Sequence, residues 1–235
     1  MGELWGGPGE VSKYANQGIS VLAAVQPAGE VVEALAAKVA AKGAPFALAP
    51  VAADPAKVVL GPELIPEVDV VTAFGDALGG GWASRRAART MLRNVAAMLP
   101  SGGLFVGTAP DSASMWYKAQ KSATVAVANF VGPLYKVEFA SNETMSIFAA
   151  SASLRLSDGE LRACPLIHFA TLIELAAAEG LFVVDIQNAA AFFADHAADH
   201  PEIVKAFAVF ANFSSLHRDA EDLLSLFTTF VFRKA

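Results

Sequence analysis

A single cysteine, Cys164, stands in a chain of 235 residues. No internal disulfide can form, and a reducing, intracellular compartment is the expectation. Charge is scarce, at 17% of residues, and there is no basic excess: 17 Lys and Arg face 23 Asp and Glu, a net charge of −6. That balance argues against a protein built on extensive phosphate contacts. Apolar residues reach 54% and mean hydropathy is +0.45. Even so, Gly, Pro or charge breaks every apolar run before the roughly 18 residues of a spanning helix. Residues 1–10 hold no basic stretch leading into an apolar core, so no secretory leader is expected. Repeats and low-complexity segments are missing too. What remains is a chain rich in alanine, with short apolar runs suited to a buried sheet under helices.

The runs alternate in kind. Strands are expected near residues 3–5, 19–25, 45–49, 68–74 and 104–108. Helices are expected at 10–16, 29–41 and 83–98, with one helical turn at 54–59. Strands alternating with helices predict a parallel sheet covered on both faces. After Asp111 the pattern changes. A helix over 112–121 precedes two segments of period near two, 134–140 and 146–156, which predict an inserted β-hairpin. A helix over 165–179 stops at Gly180. A strand at 181–186, a mainly helical stretch at 189–213 broken at Pro201, and a closing strand at 226–233 complete the chain. The reading is one domain over 1–235, with 112–160 inserted.

Several pieces fall together in one order. They are Asp69-Val70-Val71; Met91-Leu92-Arg93-Asn94-Val95; and Gly102-Gly103 with Phe105, Gly107, Thr108, Pro110 and Asp111. Asn129, Tyr135, Val137 and Phe139 follow, then Cys164-Pro165 with Phe169, Leu172 and Glu174, and finally Phe230-Val231-Phe232-Arg233-Lys234. In this order the chain resembles the mRNA cap guanine-N7 methyltransferases. The resemblance implies a Rossmann-like class I S-adenosylmethionine-dependent methyltransferase fold. Its mixed sheet would have about seven strands, with the β-hairpin inserted after strand five.

Methyl transfer to guanine N7 needs little acid–base chemistry, because N7 already carries a lone pair. Catalysis then rests on holding two reactants in line, and the binding residues are the apparatus. The resemblance places the cofactor on the turn Trp5-Gly6-Gly7-Pro8-Gly9-Glu10, with Gly6, Gly7, Gly9 and Glu10 as candidates. Pro8 stands where the family has glycine. The carboxylate that would take the ribose hydroxyls falls at Val25, leaving Gln26 as a weaker substitute. The acid that reads the adenine amine is expected near Pro50, and the nearest carboxylate is Asp54. In place of the family's His-Tyr pair stands Phe74-Gly75-Asp76-Ala77-Leu78-Gly79, so Phe74 and Asp76 are the remaining candidates. For the cap and RNA, the candidates are Asp111, Tyr135, Phe227, Arg85 and Arg89. The family's Glu after the Cys-Pro turn has no counterpart in Cys164-Pro165-Leu166-Ile167-His168. The family's helices ahead of strand one, which close over both ligands, are expected to be missing.

Other groups carry less. His196 and His200 have i, i+4 spacing, but no Glu stands between them as in HExxH and Pro201 follows, so no metal site is expected. Cys164 reads as a small core residue, and His168 as a half-buried one. Trp116 and Tyr117 beside Lys118 and Lys121 either pack the insertion or stack on bases. Arg85, Arg89 and Arg93 share one helical face, a solvated surface or a contact for RNA phosphate or an acidic partner. The C-terminal phenylalanines, Phe192, Phe193, Phe207, Phe210 and Phe213, suit core or a partner surface. The expectation is a methyltransferase-like chain that has lost activity and serves as a binding subunit of an RNA-processing complex, without membrane or metal. The alternative is an active enzyme using S-adenosylmethionine through divergent contacts.

Overall fold

The computed structural model describes residues 1–15, 17–74, 80–122, 129–139, 150–156, 159–202, 204 and 213–235. By contacts the chain divides into two compact units. One comprises Met1–Gly107, Phe169–Asp185 and Phe230–Ala235; the other comprises Thr108–His168 and Ile186–Thr229.

The strands β1 (Gly2–Leu4), β2 (Val21–Gln26), β3 (Ala47–Ala52), β4 (Val70–Ala73), β5 (Leu104–Pro110), β10 (Leu181–Asn188) and β11 (Phe227–Lys234) form one mixed, seven-stranded sheet in the order β10-β11-β5-β4-β1-β2-β3. β3, β2, β1, β4 and β5 run parallel, each paired with the next. The expected α/β sheet is therefore present, with β11 between β5 and β10.

In the first unit, β2 is buried along nearly its whole length, as a central parallel strand covered on both faces must be. One face carries α1 (Val11–Tyr14) and α2 (Gly29–Lys42), which pack Val11, Tyr14 and Leu35 on Leu22, Ala24 and Phe46. The core also holds α3 (Arg85–Met98), whose Met91, Leu92, Val95 and Met98 are buried. The Ser84 hydroxyl accepts the Ala87 N–H at 3.1 Å and so caps α3. Phe230 packs on Phe105, with ring centres 5.0 Å apart, and meets Trp82 edge-on at 6.2 Å. A side chain at Gly107 would stand 2.5 Å from Phe230 Cζ and 2.8 Å from the Ala73 carbonyl. Only glycine lets the strand and the ring approach this closely. α5 (Phe169–Ala178) ends before Gly180, whose φ is +80°, as the sequence predicts.

The second unit contains α4 (Ser112–Ser122) and a four-stranded antiparallel sheet, β6 (Phe130–Gly132), β7 (Tyr135–Phe139), β8 (Ala150–Leu156) and β9 (Arg162–Leu166). The expected hairpin is its β7–β8 core, while residues 140–149 lie outside the described residues. Trp116 packs edge-on against Phe139 at 5.7 Å, the packing role of the two weighed for it. α6 (Ala189–His196) and α7 (Phe213–Leu224) complete the unit.

At two prolines the strands overrun their expected limits. Residues 165–166, expected to open a helix, instead end β9 (Arg162–Leu166), and β3 extends over Pro50 to Ala52. Both strands lie at a sheet edge. There the missing N–H of Pro165 or Pro50 costs no ladder bond, so pairing overrides the turn signal of proline.

Candidate functional site

The crevice that the sequence points to lies at the carboxyl ends of β1 to β4. β1 delivers the chain into the turn at residues 5–10. Trp5 adopts φ +57°, the one non-glycine among the described residues on that side of the map. Holding an aromatic residue there costs on the order of 1 kcal/mol. The Trp5 N–H donates to the Val25 carbonyl at 2.9 Å, and the Glu10 N–H closes the turn on the Gly7 carbonyl at 3.0 Å. The indole reaches towards Gly81, where a Cβ would meet it at 2.9 Å and Met91 Sδ at 2.5 Å.

Beneath the turn is a carboxylate that sequence reasoning missed. Glu3 is 1% exposed. Its Oε1 accepts the Tyr14 hydroxyl at 2.7 Å, and its Oε2 has no hydrogen-bond partner. Burial pushes the Glu3 carboxyl up to about 7, against the lowering effect of the Tyr14 bond. Burial likewise pushes the Tyr14 hydroxyl upward, helped by the neighbouring Glu3. The carboxylate fills the space beside Gly6, where a Cβ would fall 1.9 Å from Glu3 Cδ. The one available signal was an acid inside the otherwise apolar strand Gly2-Glu3-Leu4.

The other candidates on this crevice are largely engaged by their own surroundings. Gln26 lies at the end of β2, 9% exposed, and its Nε2 donates to the Gly6 carbonyl at 3.0 Å. Glu10 pairs with Lys13 at 2.6 Å. Asp54 Oδ1 accepts the Ala56 N–H at 3.0 Å, and its Oδ2 pairs with Lys57 at 2.9 Å. Gly7 and Gly9 face open space, and Phe74 is exposed. Asp76 lies outside the described residues. The structure thus brings Gly6, Gly7, Gly9, Glu10 and Gln26 together around one turn. It leaves the end of β2 with a carboxamide where a ribose calls for a charged acceptor. Among the described residues, the carboxylates nearest this turn are each paired or buried.

Arg85 and Arg89 lie on the outer side of α3, in a groove of about 670 Å³ shared with α5. Asp111, Tyr135 and Phe227 belong to other networks, in the second unit. Asp111 stands at the start of α4, where its Oδ1 accepts the Ala113 N–H at 2.9 Å. Its Oδ2 accepts the Ser114 hydroxyl at 2.7 Å and the Thr228 hydroxyl at 3.2 Å. Tyr135 donates its hydroxyl to Asp222 Oδ2 at 2.7 Å. Lys118 Nζ donates to the Tyr135 oxygen at 3.2 Å, to the Asp222 carbonyl at 2.9 Å, and to Asp222 Oδ1. Burial alone would raise the Asp222 carboxyl, but Lys118 and Tyr135 outweigh it and hold it below its ordinary range. This network borders a cavity of about 540 Å³ lined also by Arg218, Glu221 and Ser225. Phe227 is half-buried, and its carbonyl accepts Asn188 Nδ2 at 3.3 Å. Asp222, at the centre of the Tyr135 network, carried no motif that could have found it. Among the described residues no cluster of three metal-binding side chains occurs, and no helix is long and apolar enough to cross a membrane.

Comparison with known proteins agrees with the strand order. The mRNA cap guanine-N(7) methyltransferase 2 of Arabidopsis thaliana is 32% identical over 168 residues, which is 64% of this chain and 47% of that protein. Its namesake from Oryza sativa subsp. japonica is 29% identical over 164 residues, 64% of this chain and 48% of that protein. The chain spans about half the length of these relatives. Among solved structures, the CcbJ methyltransferase from Streptomyces caelestis superposes with a TM-score of 0.57 at 18% identity, covering 100% of this chain and 82% of that one. An S-adenosylmethionine-dependent methyltransferase from Clostridium acetobutylicum ATCC 824 also gives 0.57, at 12% identity, covering 100% and 83%. At such identities these two establish the fold alone. The profile of the mRNA (guanine-N(7))-methyltransferase domain matches residues 5–235, and the chain belongs to that family.

Proposed function

We propose that this chain is a cap-methyltransferase-like module that has kept its family's fold, has lost methyl transfer, and acts as a binding subunit in an RNA-processing complex. One observation carries the reading. At the end of β2, where the ribose hydroxyls of S-adenosylmethionine would need a charged acceptor, stands Gln26, and its amide is tied to the Gly6 carbonyl. Around it, Glu10 and Asp54 form ion pairs with Lys13 and Lys57, and the Glu3 carboxyl is buried under the turn. A turn whose charged groups are already paired offers a ligand little beyond backbone.

The test is calorimetric titration of the whole chain with S-adenosylmethionine and with its demethylated product. The expected result is no binding in the micromolar range. Micromolar binding together with cofactor-dependent methylation of a capped RNA overturns the proposal.

A second reading, an active enzyme with divergent contacts, is favoured by the open space over Gly7 and Gly9, which leaves their backbone approachable. On that reading Glu10 holds the cofactor. A Glu10→Gln variant that methylates as well as the wild type would remove this assignment.

A further inference from the structure

α3 and α5 run side by side in the first unit, with a groove of about 670 Å³ between them. Arg85, Arg89 and Arg93 follow one another at four-residue intervals, so their side chains rise about 6 Å apart along a single face of α3. Arg86 adds a fourth guanidinium at the same mouth. A chain with net charge −6 has thus gathered four arginines within about two and a half turns of helix.

The way these arginines are partnered leaves much of them available. Arg89 and Arg93 both use their Nε on the Glu179 carboxylate, at 3.0 and 3.3 Å. Burial alone would raise the Glu179 carboxyl; the two arginines outweigh it and hold it below its ordinary range. One carboxylate is therefore shared by two cations. Arg85 meets Glu174 at 3.5 Å, with both side chains more than half exposed, a pairing worth little in water. Arg86 makes no side-chain hydrogen bond or ion pair with the described residues. Four cations face two carboxylates, and the surplus is positive.

The rest of the lining indicates what the surplus is for. Between the arginines lie Thr90, Leu175 and Ala178, with no aromatic side chain among them. A protein partner generally needs a buried aromatic or apolar anchor, and the only apolar groups in the lining are Ala178 and the largely covered Leu175. Phosphate contacts need only cations and hydrogen-bond donors. The stripe also begins at the capped N-terminus of α3, which follows β4. It therefore starts on the same edge of the sheet as the turn at residues 5–10 and runs away from it.

We infer that the α3–α5 groove carries the phosphate backbone of a single-stranded RNA, an inference that rests on the RNA-directed part of the function proposed above. The partner is recognised by regularly spaced negative charge, without base readout, so binding depends steeply on salt.

The test titrates the full chain with a fluorescein-labelled oligouridine and with a capped oligonucleotide of the same length, across a range of salt. The variants are Arg85→Gln, Arg86→Gln and the double substitution, none of which touches the Glu179 clamp. Circular dichroism melting confirms that each variant folds. The expected result is that the double variant binds either RNA about tenfold more weakly at low salt. The slope of log K against log salt falls by about 0.7 for each phosphate that is no longer neutralised. If RNA binds the wild type and the variants equally, the groove assignment falls and the RNA-directed reading stands. If neither RNA binds the wild type, both fall together. If a polyglutamate peptide displaces the RNA and binds more tightly, the groove is a site for an acidic protein and the inference is overturned.

Discussion

Glu3 puts a carboxyl group inside an interior strand, with one oxygen satisfied by Tyr14 and the other unbonded. Its folded value near 7 lies above the ordinary 4.5. Between those values the native state holds a proton that the unfolded state has released, so stability falls as pH rises through this window and the loss is complete above it. Glu3→Gln keeps the shape and removes the ionisation. It is expected to raise stability at pH 8 by roughly 1–3 kcal/mol, as read by urea denaturation; an unchanged midpoint would show that the carboxyl is not desolvated. Gly6→Ala is the converse case, since its methyl group would enter the space of that carboxylate. A loss of roughly 1–3 kcal/mol is expected for this variant, and wild-type stability would mean that the turn and Glu3 part easily. The glycines and Glu10 of this turn were legible because they lie in one run of sequence. Glu3, Tyr14 and the bond from Gln26 to Gly6 were not, because they join β1, α1 and β2, and no local spacing encodes which side chain meets which across a sheet.

Among the elements, α3 holds the loop that follows β3 through one residue. Asn94 is fully buried. Its Oδ1 accepts the Leu60 N–H at 2.8 Å, and its Nδ2 donates to the Pro55 and Val58 carbonyls at 2.8 and 2.7 Å. Asn94→Ala leaves three backbone groups unsatisfied and is expected to cost roughly 2–4 kcal/mol. It is also expected to speed amide exchange across residues 54–60; a neutral result would assign this loop to its own turns. In the second unit, Lys118 of α4, Tyr135 of β7 and Asp222 of α7 form a comparable tie. Asp222 is partly exposed, so Asp222→Ala is expected to cost only about 1 kcal/mol, with faster proteolysis within α7 as the second readout. Regular elements were the legible part of this fold. Gly180 after α5 marks a helix end by local chemistry. The overruns at Pro50 and Pro165 were not legible, because being at an edge is a property of the assembled sheet.

For the molecule as a whole, the shifted carboxyls oppose one another. Glu179 and Asp222 lie below their ordinary range, so their contribution is present above it and is lost as pH falls through their lowered values. Glu3 contributes in the other direction. The thermal midpoint is therefore expected to peak near about pH 5 and to decline towards about pH 7. Melting curves across that interval would contradict the assignment if the midpoint climbed instead. Strand order was legible at this scale because the pieces from Asp69 to Lys234 recur in a family order. The arginine groove was legible only as one helical face, since Glu174 of α5 and Glu179 just beyond it come from far along the chain. β11 has a temporal consequence. Its Phe230 and Phe232 fill the hydrophobic interior of the unit that begins at Met1, yet it follows every other strand in sequence. During synthesis, Trp82 and Phe105 leave the ribosome well before the strand whose Phe230 packs on them. A chaperone would find its longest opportunity in that interval.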